Sequence, residues 1–86
     1  MNIEKTAWAK RFKKEDSMSY ERAIELVSVP DLVVDIYQTD ETGEKVWAIV
    51  PEDDPEFWLD AFKRKQNAVS LCKKMNWRIM GLEEQT

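Results

Sequence analysis

Leu-Val-Val-Asp-Ile-Tyr-Gln-Thr-Asp-Glu-Thr-Gly-Glu-Lys-Val-Trp-Ala-Ile-Val occupies residues 32–50, and its reading decides the fold. Residues 32–38 are rich in β-branched and aromatic side chains, which suit a pleated, half-buried strand. Thr39 to Glu44 holds Asp40 and Gly43, a turn composition. Lys45 to Val50 reads as the returning strand. Period-two alternation puts Trp47 and Ile49 on one face and Val46, Ala48 and Val50 on the other. The stretch therefore predicts a β-hairpin. An isolated hairpin is marginal in water, so further elements must pack on it.

C-terminal to the hairpin, Pro51 to Pro55 is an acidic loop. The segment beyond it admits two readings. In one, a single helix starts at Asp54. Asp54 would be its N-cap, Pro55 its first residue, and Glu56 would face the positive pole. In the other, Phe57 to Phe62 is a third strand and a helix begins near Lys63. The second is favoured because a third strand supports the hairpin. In the first, Trp58, Ala61, Phe62, Lys65, Val69, Cys72 and Met75 sit at near-helical spacing; in the second, Ala68, Val69, Leu71, Cys72 and Met75 form the buried stripe of the helix. In both, Asn76 closes the helix as a C-terminal cap, and Trp77 to Met80 forms a short final strand.

On the N-terminal side, Ile3, Ala7, Trp8 and Phe12 share a helical face, so residues 3–14 are expected to form an amphipathic helix. Lys10, Arg11, Lys13 and Lys14 near its end suit the negative pole of the helix. Ser17 or Ser19 caps a second helix to about Val27, with Tyr20, Ala23, Ile24 and Val27 as its stripe. Pro30 bars its continuation. The fold class expected is α+β. It comprises one domain over residues 1–86, with a small antiparallel sheet built on the 32–50 hairpin and helices packed on one face.

At 86 residues the chain is short for more than one domain. Its 43% hydrophobic and 35% charged residues fit a folded protein with a well-solvated surface. The four tryptophans, Trp8, Trp47, Trp58 and Trp77, are expected mainly in the core, with one of them free to serve as an anchor for a partner. Cys72 is the single cysteine, and its place on an apolar stripe predicts a buried, inert thiol. Met1 to Lys14 is polar and has no signal-peptide run, and no apolar stretch approaches a membrane span. With no disulfide to staple a small secreted domain, the expectation is a soluble protein of the reducing cytoplasm.

Histidine is absent altogether. That removes the commonest general base, the usual partner of a Ser or Cys nucleophile, and the commonest metal ligand. The two glycines cannot build a phosphate-cradling loop. Glu52, Asp53, Asp54, Glu56 and Asp60 form a dense acidic run without the alternating ligands and central glycine of a calcium loop. The expectation is a protein with no catalytic residue, no metal and no cofactor.

Charge is unevenly distributed although the net value is −4. Residues 31–60 hold ten acids against Lys45 alone, and residues 61–78 hold six bases and no acid. Such blocks create local potentials that steer association. The leading reading is an acidic face made of Asp40, Glu41 and Glu44 in the turn and Glu52, Asp53, Asp54 and Glu56 in the loop. It would meet a protein partner with a basic surface. The alternative is a basic-aromatic surface made of Lys63, Arg64, Lys65, Lys73, Lys74, Trp77 and Arg78, which would bind nucleic acid. A third is a subunit of a larger assembly whose charges keep it soluble.

Phe57-Trp58-Leu59-Asp60-Ala61-Phe62, then Ala68-Val69 and Leu71-Cys72-Lys73-Lys74-Met75-Asn76-Trp77, resembles a strand-to-helix pattern of small bacterial and phage proteins. In size and in its acidic, histidine-free character the whole chain resembles the small phage inhibitors of host-defence nucleases. That resemblance implies a non-catalytic inhibitor of a nucleic-acid-handling enzyme.

Overall fold

The computed structural model describes residues 2–80. Helix exceeds strand among them, 39% against 23%, in an α+β architecture with a four-stranded sheet. The chain divides into two compact units, Met1–Pro30 and Asp31–Thr86.

The first unit opens with a 3-10 turn, Ile3–Lys5, and continues into helices α1, Ala7–Glu15, and α2, Tyr20–Val27. The expected single helix over 3–14 is thus broken at Thr6. That residue is extended, with φ −72° and ψ 156°. Its hydroxyl donates to the Ile3 carbonyl at 2.7 Å and accepts from the Ala9 N–H at 3.2 Å. A threonine that satisfies an otherwise orphaned N–H competes with helical continuation, and the helix starts after it. Trp8 and Ala9 are buried, and the Trp8 ring meets Phe12 with centroids 5.5 Å apart. Ser19 occupies the cap position of α2 but makes no side-chain cap bond. The Asp16 carboxylate instead accepts from the Ser19 N–H at 3.3 Å. The buried stripe of α2 is Ala23, Leu26 and Val27, with Tyr20 and Ile24 half-buried.

In the second unit the hairpin forms as expected. Strand β1, Val33–Thr39, pairs antiparallel with β2, Val46–Pro51, from Val34↔Pro51 to Thr39↔Val46. The Gly43 N–H donates to the Asp40 carbonyl at 2.9 Å, and Gly43 takes φ +90°, the left-handed region open to glycine at little cost. Strand β3, Asp60–Phe62, pairs antiparallel with the far edge of β2. Helix α3, Lys65–Met75, then leads to β4, Arg78–Ile79, which pairs parallel with β1. The order is β3-β2-β1-β4.

The sheet is therefore mixed, which corrects the antiparallel expectation. The reason is the crossover: α3 carries the chain from one edge to the other, so β4 enters in the direction of β3, which already runs with β1. The third strand is real but covers three residues of the expected six. Phe57 is taken by a turn, its N–H donating to the Asp54 carbonyl at 3.0 Å.

Alternation fixes which residues α3 covers. Trp47, Ile49 and Pro51 of β2 share a face with Val34 of β1 and Ile79 of β4. Lys65 of α3 lies over the Trp47 ring, its Nζ 5.4 Å from the centroid. Ala68, Cys72 and Met75 are the buried stripe of α3, and Val69 and Leu71 flank it half-buried. Ile49, Leu59, Val34 and Cys72 rank among the largest side chains that are fully buried. Asn76 adopts φ 61° and ψ 31°, its N–H reaching Cys72 and Lys73, while the Trp77 N–H donates to the Cys72 carbonyl at 2.8 Å. This paired arrangement terminates the helix and turns the chain into β4.

Candidate functional site

The acidic loop is built between two pinned feet. At one, the Glu52 N–H donates to the Val33 carbonyl at 2.9 Å. At the other, the Leu59 N–H donates to the Ile49 carbonyl at 2.7 Å and the Leu59 side chain is only 1% exposed. Between them run two successive turns, closed by Asp54 N–H to Pro51 carbonyl at 3.2 Å and Phe57 N–H to Asp54 carbonyl at 3.0 Å. Pro51 is buried, which fixes the first turn to the sheet. The side chains of Glu52, Asp53 and Glu56 are left exposed at the rim, with Asp54 half-buried. Among the described residues, Glu52, Asp53 and Glu56 form no ion pair.

The hairpin turn places its acids elsewhere. Asp40, Glu41 and Glu44 are all exposed, but they lie beyond the Thr39↔Val46 end of the ladder, whereas the loop lies beyond the Val34↔Pro51 end. Val46 to Pro51 spans about 17 Å along the strand, so the two acidic groups stand at opposite ends of β2. Glu44 also faces Lys63, with 4.0 Å between Oε2 and Nζ. That pair is exposed and contributes little to stability. The loop acids are thus gathered with one another, and the turn acids are not gathered with them.

The basic-aromatic set is divided as well. Trp77 is 5% exposed and closes the core, so it offers no face to a base. Arg78 pairs beside Val33, on the sheet face opposite Ile79 and α3. Arg64, Lys65 and Lys73, by contrast, line one shallow, open depression of about 680 Å³ with Gln66, Val69 and Ser70. The sequence signal for this grouping is the spacing Lys65-Val69-Lys73, one residue per turn on one flank of a helix. Charge and aromatic content alone do not bring Gln66, Val69 and Ser70 into the set.

No family model, curated protein or solved structure matches the chain.

The remaining reactive group is Cys72. It is wholly buried, and burial, with the Asp60 carboxylate second, pushes its thiol from 9.0 up to about 12. A thiol that stays protonated through the physiological range is a poor nucleophile. No three Cys, Asp or Glu side chains among the described residues come together in a way that could hold a metal ion. No helix among them is long and apolar enough to cross a membrane.

Proposed function

We propose that this protein is a non-catalytic binding protein of the cytoplasm that engages a basic surface on a larger protein partner through the loop carrying Glu52, Asp53, Asp54 and Glu56. The observation that supports this reading most directly is the construction of the loop. Both feet are tied to β-strands by backbone hydrogen bonds, and three of its carboxylates have no cation beside them among the described residues. Like charges held together repel, so folding alone gives no reason for the grouping. A loop whose two ends are pinned loses less backbone freedom on binding than a free one. Facing cations would steer the encounter. A surface that handles nucleic acid has cations spaced for phosphates, and this loop would set carboxylates against them. The reading accordingly includes inhibition of a nucleic-acid-handling enzyme. It narrows the site to the loop, since Asp40, Glu41 and Glu44 lie at the other end of β2.

The test is the variant Glu52→Gln/Asp53→Asn/Glu56→Gln. All three residues are exposed, so the melting temperature should stay level or rise slightly. Capture from lysate, then mass spectrometry and titration of the isolated partner, should show weaker binding with a shallower salt dependence. A variant that binds its partner as tightly as wild type at low salt would refute the assignment.

A further inference from the structure

The basic flank of α3 is a second surface, independent of the acidic loop. Arg64 and Lys73 are exposed and form no ion pair among the described residues, and Lys65 rests over Trp47. Between the cations lies half-buried Val69, with the neutral donors Gln66 and Ser70 beside it. An apolar centre with a polar and charged rim is the anatomy of a protein contact rather than of an enclosed small-molecule site. We propose that this flank docks an acidic amphipathic helix of a protein partner.

Three features of the surface favour that occupant. Lys65 and Lys73 are eight residues apart on one helix, about 12 Å along its axis. Carboxylates seven or eight residues apart on a facing helix are separated by about 10–12 Å, a comparable distance, and an apolar side chain between them would meet Val69. Arg64 offers a planar fork that grips a carboxylate in two places. Single-stranded nucleic acid is served less well, because binding it relies on stacking faces. Trp77 is buried, and the Lys65 ammonium stands over the half-buried Trp47 ring. The net charge of −4 also opposes a long polyphosphate more than a segment carrying a few carboxylates.

The experiment is a ¹⁵N-resolved titration of the full chain. Its probes are a synthetic helical peptide of about 18 residues, with glutamates seven apart flanking a leucine seam, and, separately, oligothymidylate. The peptide should shift the amides of Lys65, Val69, Ser70 and Lys73 saturably at low salt. Lys65→Glu/Lys73→Glu should weaken it by at least about tenfold. Arg78→Glu, on the sheet face opposite α3, makes the same change in net charge as Lys73→Glu and should weaken the peptide less than Lys73→Glu does. The milder Lys73→Gln should give an intermediate loss in a variant whose spectrum otherwise matches wild type. Equal loss in the Lys73→Glu and Arg78→Glu variants would mean general attraction and overturns the proposal. So would oligothymidylate shifting the same amides more tightly than the peptide, or neither probe shifting them. None of these results bears on the acidic loop, whose variants and partner are different.

Discussion

Cys72 gives the most quantitative prediction, because its burial sets a pH dependence that one substitution removes. The thiol is wholly buried and pushed up to about 12 from 9.0, first by desolvation and then by Asp60. In the unfolded chain it ionises near its ordinary value. Above that pH the unfolded state has lost a proton that the folded state keeps, so the unfolded state gains stability as pH rises. The folded protein therefore has its full stability below about pH 9 and loses it progressively between 9 and about 12. The loss is about 1.4 kcal/mol per pH unit once ionisation in the unfolded state is complete, or roughly 2 kcal/mol by about pH 10.5. Cys72→Ala removes the titration and leaves a small cavity, at a cost of about 1 kcal/mol. The variant should be the less stable protein near neutrality, equal to wild type near about pH 9.6, and the more stable by about 1 kcal/mol near pH 10.5. Urea unfolding of both proteins across this range measures the difference. Parallel stability curves with no crossing would refute the reasoning, and so would rapid labelling of Cys72 in the native protein at neutral pH.

The helix caps yield two further predictions. Thr6→Ala should cost about 1 kcal/mol, the ordinary loss of an N-cap, with faster hydrogen exchange at the Ala9 amide that its hydroxyl holds. Asn76→Ala forces an alanine into a left-handed conformation at φ 61° and should cost about 1 kcal/mol. Asn76→Gly at the same position should be neutral or slightly stabilising. A thermal series with Ala and Gly equal would show that backbone strain is not what Asn76 relieves.

The hairpin is legible in the sequence because both of its strands and its turn are local. β-branched runs, alternation and Gly43 all lie within the 32–50 stretch. The end of α3 is legible for the same reason, since Asn76 is one of the few residues that accept a left-handed cap. The features that the sequence hides depend on partners distant in the chain. The parallel pairing of β4 with β1 joins Val33 to Arg78, and the two residues of β4 carry no mark of strand direction. The break at Thr6 is local, but its signal is one hydroxyl in an otherwise continuous apolar stripe, and the periodicity of Ile3, Ala7 and Trp8 outweighs it.

The same distinction between local and distant information governs the candidate sites. Net charge along the sequence joins Asp40, Glu41 and Glu44 to the 52–56 acids, because both sets lie in one acidic block. A strand between two charged segments holds them apart by its own length, and β2 does so here. A helix does the reverse: it brings residues four and eight apart onto one flank, so Lys65, Val69 and Lys73 meet although neutral residues separate them in sequence. Trp77 looks available to a ligand in the sequence because it adjoins Arg78. Along an extended chain such neighbours point to opposite sides, and the short pairing with β1 is enough to send Arg78 outward and leave Trp77 in the core. Charge read by segment finds where potential is concentrated. Only the periodicity of the element beneath it decides which charges act together.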